Sequence, residues 1–286
     1  MIIMWIIIVL ILVLVIRTIS LKSRRYEVDE TVIPSINMEK AVKNLSEAIK
    51  FKTITYYDYE KIDWGEFQGL NDYLEESYPL VHKNLNKEIV NDYSLIYHWK
   101  SESNKDKPIL FTSHLDVVLA DEGKWMYPPF SGFVDDDYIW GRGTLDIKVQ
   151  VISLLEAMEK LLEEGYKPRR DIYLAFGHDE EIGGNDGAKN IANIFEERGI
   201  FFEYVLDEGG CVTEGAIDGV GKPVALVGTC EKGYLDMRVT AESVGGHASM
   251  PSKNNSLNMI GEAIYKIEKN PPRLRITKAV NDMLKH

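Results

Sequence analysis

The chain opens on an uninterrupted apolar run, Met1–Ile16, that contains neither a charged residue nor a helix breaker. Apolar residues resume after Arg17, at Ile19 and Leu21. A membrane-spanning helix needs about 20 residues, and the long arginine side chain can reach the membrane interface. We therefore predict a transmembrane anchor over residues 1–21. A cleaved signal peptide is the alternative, but no basic residue precedes the run and no small-x-small cleavage site follows it.

The charges that follow the apolar run indicate an orientation. Arg17, Lys22, Arg24 and Arg25 all lie on its C-terminal side. The positive-inside rule then favours a single-pass membrane protein with the rest of the chain in the cytoplasm. Residues 22–35 are charged and polar without a period, which predicts a tether.

Beyond the tether, hydrophobic positions alternate between helical and strand spacing. Asn37 can cap a helix with an apolar face, and Phe67–Leu74 shows a weaker helical pattern that ends near Pro79. Ser94–Lys100 is typical of a strand. The apolar face of the first helix comprises Met38, Ala41, Val42, Leu45, Ala48 and Ile49.

Three short apolar runs, Pro108–Thr112, Asp171–Phe176 and Glu203–Leu206, have the pattern of buried strands. A strong helical pattern with its stop at Gly165 separates the first two runs; its apolar positions are Val149, Ile152, Leu155, Met158 and Leu162. Alternating strands and helices predict an α/β fold whose mostly parallel sheet is flanked by helices.

Composition narrows the chemistry. The formal net charge of −12 argues against nucleic-acid binding, which needs clustered Lys and Arg. The two cysteines, Cys211 and Cys230, form no metal or redox motif. Metal ligands would therefore come from His, Asp and Glu, which suit hydrolytic zinc.

Acidic and histidine residues follow each buried strand, where ligands bind in parallel α/β sheets. His114 and Asp116 are two apart and share one face of an extended chain, so one can bind metal while the other supports it. Asp146 follows the glycine-flanked turn Gly141–Gly143 and could either cap the next helix or bridge two metals. Taken alone, each motif also fits a solvated surface.

Two further acidic motifs complete the set. In His178-Asp179-Glu180-Glu181, adjacent like charges repel unless cations or protons offset them. Of the two glutamates, one could bind metal while the other takes a proton from the attacking water. Asp207-Glu208 follows the third strand. Four such motifs at consecutive strand ends predict one site.

The ordered set SHLDVV, GRGTLDIK, HDEEIGG and LDEGG, followed by VGGHAS, resembles the di-zinc metallopeptidase family that contains carboxypeptidase S, aminoacylase and bacterial glutamate carboxypeptidase. The likeness runs from about Asn37 to the end of the chain. The stretch Trp125–Lys148 is most similar to the carboxypeptidase S and N-acyl-amino-acid hydrolase branch. The resemblance implies a zinc-dependent hydrolase that cleaves an amide bond adjacent to a free carboxylate, in a peptide or an N-acyl amino acid.

The resemblance also implies roles for individual residues. Two zinc ions would be bound, with Glu180 as general base and acid and Asp116 orienting His114. His247 matches a histidine that stabilises the developing oxyanion, often in a partner subunit, which implies a possible homodimer. The implied metal ligands are His114, Asp146 as the bridge, Glu181 and Asp207, with Glu208 as the alternative to Asp207.

The family's domain plan implies a catalytic domain over residues 36–230 and the start of a smaller α+β lid domain, also used for dimerisation, over residues 231–286. A further zinc-binding histidine follows the lid in the family, and the chain ends before that point. We therefore expect a C-terminally truncated chain. The alternative function is an inactive, membrane-tethered fragment that lacks the last metal-binding histidine.

Overall fold

The computed structural model describes residues 2–20, 35–103, 105–231, 233–247, 249 and 255–283. Its contacts divide the chain into two compact units. One is Thr31–Gly209; the other combines Met1–Glu30 with Gly210–His286. The predicted tether, residues 22–35, lies outside the described residues except for Ser35.

A five-stranded sheet forms the centre of the Thr31–Gly209 unit, in the order β1-β2-β4-β3-β5. Strands β3 and β4 pair in parallel, as do β3 and β5, whereas β1 with β2 and β2 with β4 are antiparallel. The strands are β1 (Asn86–Val90), β2 (Ser94–Trp99), β3 (Ile109–His114), β4 (Ile172–Gly177) and β5 (Val205–Leu206).

The sheet is therefore mixed, which corrects the prediction of a mostly parallel one. The three predicted strands do form its parallel part, but only β3 and β4 are mostly buried; β5 pairs along one edge of β3, and Val205 and Leu206 are exposed, which corrects the prediction of a buried strand there. The antiparallel part comes from a β1–β2 hairpin, whose turn places Asn91 and Asp92 at positive φ. Strand β1 has the sequence NKEIV, which lacks a long apolar run, so hydrophobicity alone did not identify it.

Four helices pack with the sheet around the larger core: α2 (Met38–Ile49), α3 (Trp64–Ser77), α4 (Pro79–Asn84) and α5 (Val149–Glu163). Helix α6 (Ala188–Glu197) contributes to a smaller core. The predicted cap is present, because the Asn37 side chain accepts the backbone N–H of Lys40. Leu155 of α5 and Leu174 of β4 are completely buried in the larger core. This packing fixes the C-terminal ends of β3 and β4.

The N-terminal helix α1 (Ile2–Ile19) is apolar except for Arg17 and Thr18 and is exposed throughout, with a mean hydropathy of 3.1. Within the described residues it is the one helix long and apolar enough to span a membrane, a property that an N-terminal signal sequence shares.

Residues from Gly210 onward form the hairpin β6 (Val212–Thr213) and β7 (Val224–Ala225), followed by helices α7 (Ser256–Lys269) and α8 (Lys278–Met283). In the described part after Ala225 there is no further strand. The contacts group residues 210–230 with the later residues, whereas the predicted boundary falls after residue 230. The lid domain remains a prediction.

Candidate metal centre

His114 is the last residue of β3, and only 2% of its surface is exposed. Its Nδ1 lies 2.9 Å from the backbone oxygen of Asp116. Since a carbonyl oxygen can only accept, Nδ1 carries a proton, and Nε2 has a lone pair whenever the ring is neutral. Nε2 lies 3.2 Å from Asp146 Oδ1 and 3.1 Å from Glu208 Oε2. The Nε2 atom of the ring thus faces the carboxylates of Asp146 and Glu208.

Asp146 lies in the turn Thr144–Lys148, directly before α5. It does not cap that helix, whose N-cap residue is Lys148. The turn begins at Gly143, whose φ of +83° is left-handed and whose added Cβ would lie 2.6 Å from Val117 Cγ1. The backbone N–H of Lys148 donates to the Gly143 oxygen at 2.7 Å, and the peptide bond after Asp146 is cis. Position 143 therefore requires glycine, because a side chain there would clash with Val117 in the segment after β3.

The glutamates of the HDEE motif lie in a short 3-10 turn, Glu180–Ile182, just after β4. Asp116 Oδ1 accepts the backbone N–H of Glu180 at 3.0 Å, and Oδ2 accepts that of Glu181 at 3.1 Å. Glu180 Oε2 lies 3.7 Å from His114 Nε2. Asp116 is completely buried; its carboxylate holds the glutamate loop, and its backbone oxygen bonds to the histidine ring.

Two groups of side chains have ligand atoms that all lie within 4.8 Å of one another. One is His114, Asp146 and Glu181; the other is His114, Glu180 and Glu208. His114 belongs to both groups. The sequence motifs after β3, before α5, after β4 and after β5 therefore meet in one place.

Glu208, rather than Asp207, reaches His114. Asp207 is exposed, and its Oδ1 accepts the backbone N–H of Glu208 at 2.9 Å. The Glu208 side chain is 25% exposed, and its Oε2 is buried. This geometry favours the alternative ligand over the first choice.

The charges of this site suit a cation. Burial disfavours a charged imidazole, yet the nearby carboxylates of Asp116 and Glu208 outweigh burial and raise the pKa of His114 to about 11. Burial, with repulsion from Asp146, raises the pKa of Glu181 to about 7. Burial, with repulsion from Glu208 and other acids, also raises the pKa of Glu180. The metal-free site therefore favours protonated side chains, and a bound cation would replace those protons.

One buried atom tests whether a metal fits. Glu208 Oε2 is buried 3.1 Å from His114 Nε2, and within the described residues this contact is an ion pair rather than an aligned hydrogen bond. A buried carboxylate oxygen is rarely left unpaired. A cation between this oxygen and the Nε2 lone pair would satisfy both atoms, and a histidine with several carboxylates is a donor set that zinc accepts.

Three residues that the sequence reasoning missed or underrated support the site. The Thr55 hydroxyl donates to Asp116 Oδ2 at 2.8 Å. The buried Lys148 ammonium donates to the backbone oxygens of Ala48 and Phe51, and burial lowers its pKa to about 7. The His178 ring is buried, with Nδ1 2.7 Å from Ser94 Oγ. Partners so distant along the chain leave no local signal.

His247 belongs to the unit that combines Met1–Glu30 with Gly210–His286, not to the unit that holds the metal centre. Its ring is exposed, and Nδ1 lies 2.9 Å from Ser249 Oγ. Its part in stabilising an oxyanion remains a prediction.

Comparison with known proteins gives the same identification as the motifs. The family model described as Peptidase family M20/M25/M40 matches residues 110–283. A probable carboxypeptidase S-like protein of Dictyostelium discoideum is 41% identical over 96% of this chain and 56% of its own length. An N-fatty-acyl-amino acid synthase/hydrolase of Xenopus tropicalis is 36% identical over 98% of this chain and 56% of its own length.

Similarity in structure supports the fold. Human carnosine dipeptidase 1 matches with a TM-score of 0.51 at 17% identity, over 62% of this chain and 40% of that chain. The chain spans about half the length of the curated relatives it matches. The family match covers more than half of the chain, including the segments that carry His114, Asp146, Glu180 and Glu208. The chain accordingly belongs to the M20/M25/M40 family of peptidases.

Proposed function

We propose that this chain carries the metal site of a zinc-dependent hydrolase that cleaves an amide bond adjacent to a free carboxylate. The observation that carries the proposal is the position of His114 Nε2, 3.2 Å from Asp146 Oδ1 and 3.1 Å from Glu208 Oε2. Three acceptor atoms at such distances repel one another unless a proton or a cation lies between them.

The two groups that share His114 suggest how two zinc ions would be held. His114 and Glu208 would bind one ion, Glu181 the other, and Asp146 would bridge them. Asp207 remains the alternative to Glu208. When bound, two zinc ions lower the pKa of a water molecule and polarise a carbonyl group.

Glu180 is the proposed general base. Its carboxylate lies 3.7 Å from His114 Nε2, and the side chain is 49% exposed, so both the ligands and a substrate can approach it. It takes a proton from the attacking water and returns that proton to the leaving nitrogen. Asp116 holds this loop through the backbone N–H of Glu180 and thereby sets the position of the base.

The substrate class rests on the relatives. One is named as a probable carboxypeptidase S-like protein and another as an N-fatty-acyl-amino acid synthase/hydrolase. Peptides with a free C-terminus and N-acyl amino acids share an amide bond next to a free carboxylate. We propose this shared chemistry as the substrate of the whole protein.

The test combines zinc content with hydrolysis of three compounds by the full chain: an N-acyl amino acid, a dipeptide, and the N-acyl amino acid with its carboxylate blocked as an amide. Turnover of the first or second compound but not the third supports the proposal. Turnover of the blocked compound at the same rate contradicts the carboxylate requirement.

The second candidate function is an inactive, membrane-tethered fragment. Both metal-competent groups in the described part of the chain contain a single histidine, His114, which favours weaker metal binding than two histidines would give. Zinc binding without turnover of any of the three compounds would support this candidate. Turnover that is lost on zinc removal and restored on zinc addition would reject it.

We also propose that α1 anchors the protein as a single-pass membrane helix with the hydrolase in the cytoplasm. The apolar, exposed surface of Ile2–Ile19 supports an anchor, and the basic residues after it support this orientation. Protease protection of the C-terminal region in intact cells, and its loss on membrane permeabilisation, would test the side of the membrane. The homodimer remains a further prediction.

A further inference from the structure

We propose that Thr55 is a positioning residue of the metal centre and acts through Asp116. This inference rests on the proposed function, because it assigns a role toward the zinc that His114 would bind. Thr55 lies outside all four motifs that identify the site in the sequence.

The backbone around Thr55 runs beside the residues that follow β3. Ile54 pairs with Val117 in a parallel bridge. The N–H of Thr55 donates to the oxygen of Val117 at 3.3 Å, and the N–H of Val117 donates to the oxygen of Thr53 at 2.9 Å. Thr53 and Thr55 therefore direct their side chains to the same side of an extended segment.

The two threonines bond to different kinds of acceptor. Thr55 Oγ1 donates to Asp116 Oδ2 at 2.8 Å, and Thr53 Oγ1 donates to the backbone oxygen of Leu115 at 2.7 Å. Both side chains are buried, with 6% and 0% of their surfaces exposed. Thr53 is therefore a matched control, since it has the same chemistry, a similar burial and a neighbouring acceptor.

Asp116 is the point at which the metal ligand and the general base are joined. Its Oδ1 accepts the N–H of Glu180 and lies 3.4 Å from His114 Nδ1, while Oδ2 accepts the N–H of Glu181 and the Thr55 hydroxyl. A carboxylate has about four lone-pair positions; three of them accept hydrogen bonds here, and His114 Nδ1 lies near Oδ1.

Loss of the Thr55 hydroxyl would leave one position of a fully buried carboxylate without a donor. A buried charged acceptor that loses a partner carries an uncompensated desolvation cost, and a shift toward its remaining donors would reduce that cost. For Asp116 those donors are the backbone N–H groups of Glu180 and Glu181, and the His114 ring lies beside Oδ1 while its Nδ1 bonds to the Asp116 backbone oxygen, so the shift reaches the base directly and the ligand through Asp116. Thr53 has no such connection, because its acceptor is a backbone oxygen.

The experiment uses the full chain in detergent with four variants: Thr55→Val and Thr55→Ala, which remove the hydroxyl, Thr55→Ser, which keeps it, and Thr53→Val as the control. Zinc affinity is measured by competition with a chelator. Outer-shell partners of metal ligands are worth about 10- to 100-fold in affinity, and we expect about tenfold weaker zinc binding in Thr55→Val and Thr55→Ala. We expect wild-type affinity in Thr55→Ser and in Thr53→Val.

A second measurement does not need zinc. Hydrogen–deuterium exchange in metal-free protein reports on the peptide that contains Glu180 and Glu181, whose N–H groups Asp116 accepts. We expect faster exchange of this peptide in Thr55→Val and Thr55→Ala than in Thr53→Val. If the threonines only stabilised the local fold, Thr55→Val and Thr53→Val would change the exchange rate of this peptide by the same amount.

The outcomes separate this inference from the proposed function. Equal zinc affinity and equal exchange in Thr55→Val and Thr53→Val would overturn the positioning role while leaving the zinc centre intact. A Thr55→Ser variant as weak as Thr55→Val would also overturn it. If the wild-type chain binds no zinc, the proposed function fails, and the exchange measurement alone then decides whether Thr55 positions the glutamate loop.

Discussion

Replacing Glu208 with glutamine removes one negative charge and keeps the length of the side chain. Its Oε2 is buried and lies 3.1 Å from His114 Nε2, so a zinc ion bound by that ring would also meet this oxygen. Two unit charges 4 Å apart interact by about 4 kcal/mol at an effective dielectric constant of 20, which corresponds to about 10³-fold in affinity. Because the side chain is 25% exposed, solvent screens part of this interaction.

We therefore expect Glu208→Gln to weaken zinc binding by about 10²- to 10³-fold. The lower bound is the largest effect of a residue that only supports a metal ligand. The upper bound is the charge interaction without solvent screening. Asp207→Asn is the control, since Asp207 is exposed and bonds to its chain neighbour. An exposed charge contributes up to about 1 kcal/mol, so the control should lose at most about fivefold. Chelator competition measures both. The reasoning is refuted if Asp207→Asn loses zinc while Glu208→Gln retains it.

Three further predictions concern the base, the turn and the helix. Glu180→Gln should lower kcat by at least about 10²-fold with normal zinc content, whereas Glu181→Gln should lose zinc; metal analysis with the reverse pattern would exchange their roles. Gly143→Ala should lower the free energy of unfolding by about 1–2 kcal/mol for its left-handed φ and by a further 1–3 kcal/mol for contact with Val117. In urea denaturation Gly165→Ala, with no atom near its added Cβ, should lose the first amount alone; equal losses would contradict the contact. Deleting residues 2–19 should release the protein from membranes after alkaline washing, and equal solubility with and without them would contradict the anchor.

Much of the fold could be predicted from local pattern. The helical spacing of apolar residues in α2 and α5, and the apolar runs of β3 and β4, each lie within one continuous segment. A segment of this kind can bury its apolar face in one way, so its structure is readable without knowledge of its neighbours. The motifs at the ends of the strands indicated one site for the same reason, because parallel strands bring their carboxyl ends to one edge.

The antiparallel part of the sheet and the choice of ligand depended on tertiary contacts. Strand β1 is held by its pairing with β2, which residue pattern alone did not reveal.

Asp207 and Glu208 are adjacent and chemically similar, and in an extended segment neighbouring side chains point to opposite faces. Only the position of β5 beside β3 decides which of the two carboxylates reaches His114.

The sequence by itself thus determined the family, the main helices and buried strands, and the residues from which a metal site could be built. The tertiary structure decided which of those residues meet, and it added Thr55 and Ser94, which contact Asp116 and His178 from 61 and 84 positions away along the chain. Such contacts form only when the chain has folded, because the hydroxyl of a threonine or serine carries no information about a partner so far away in sequence.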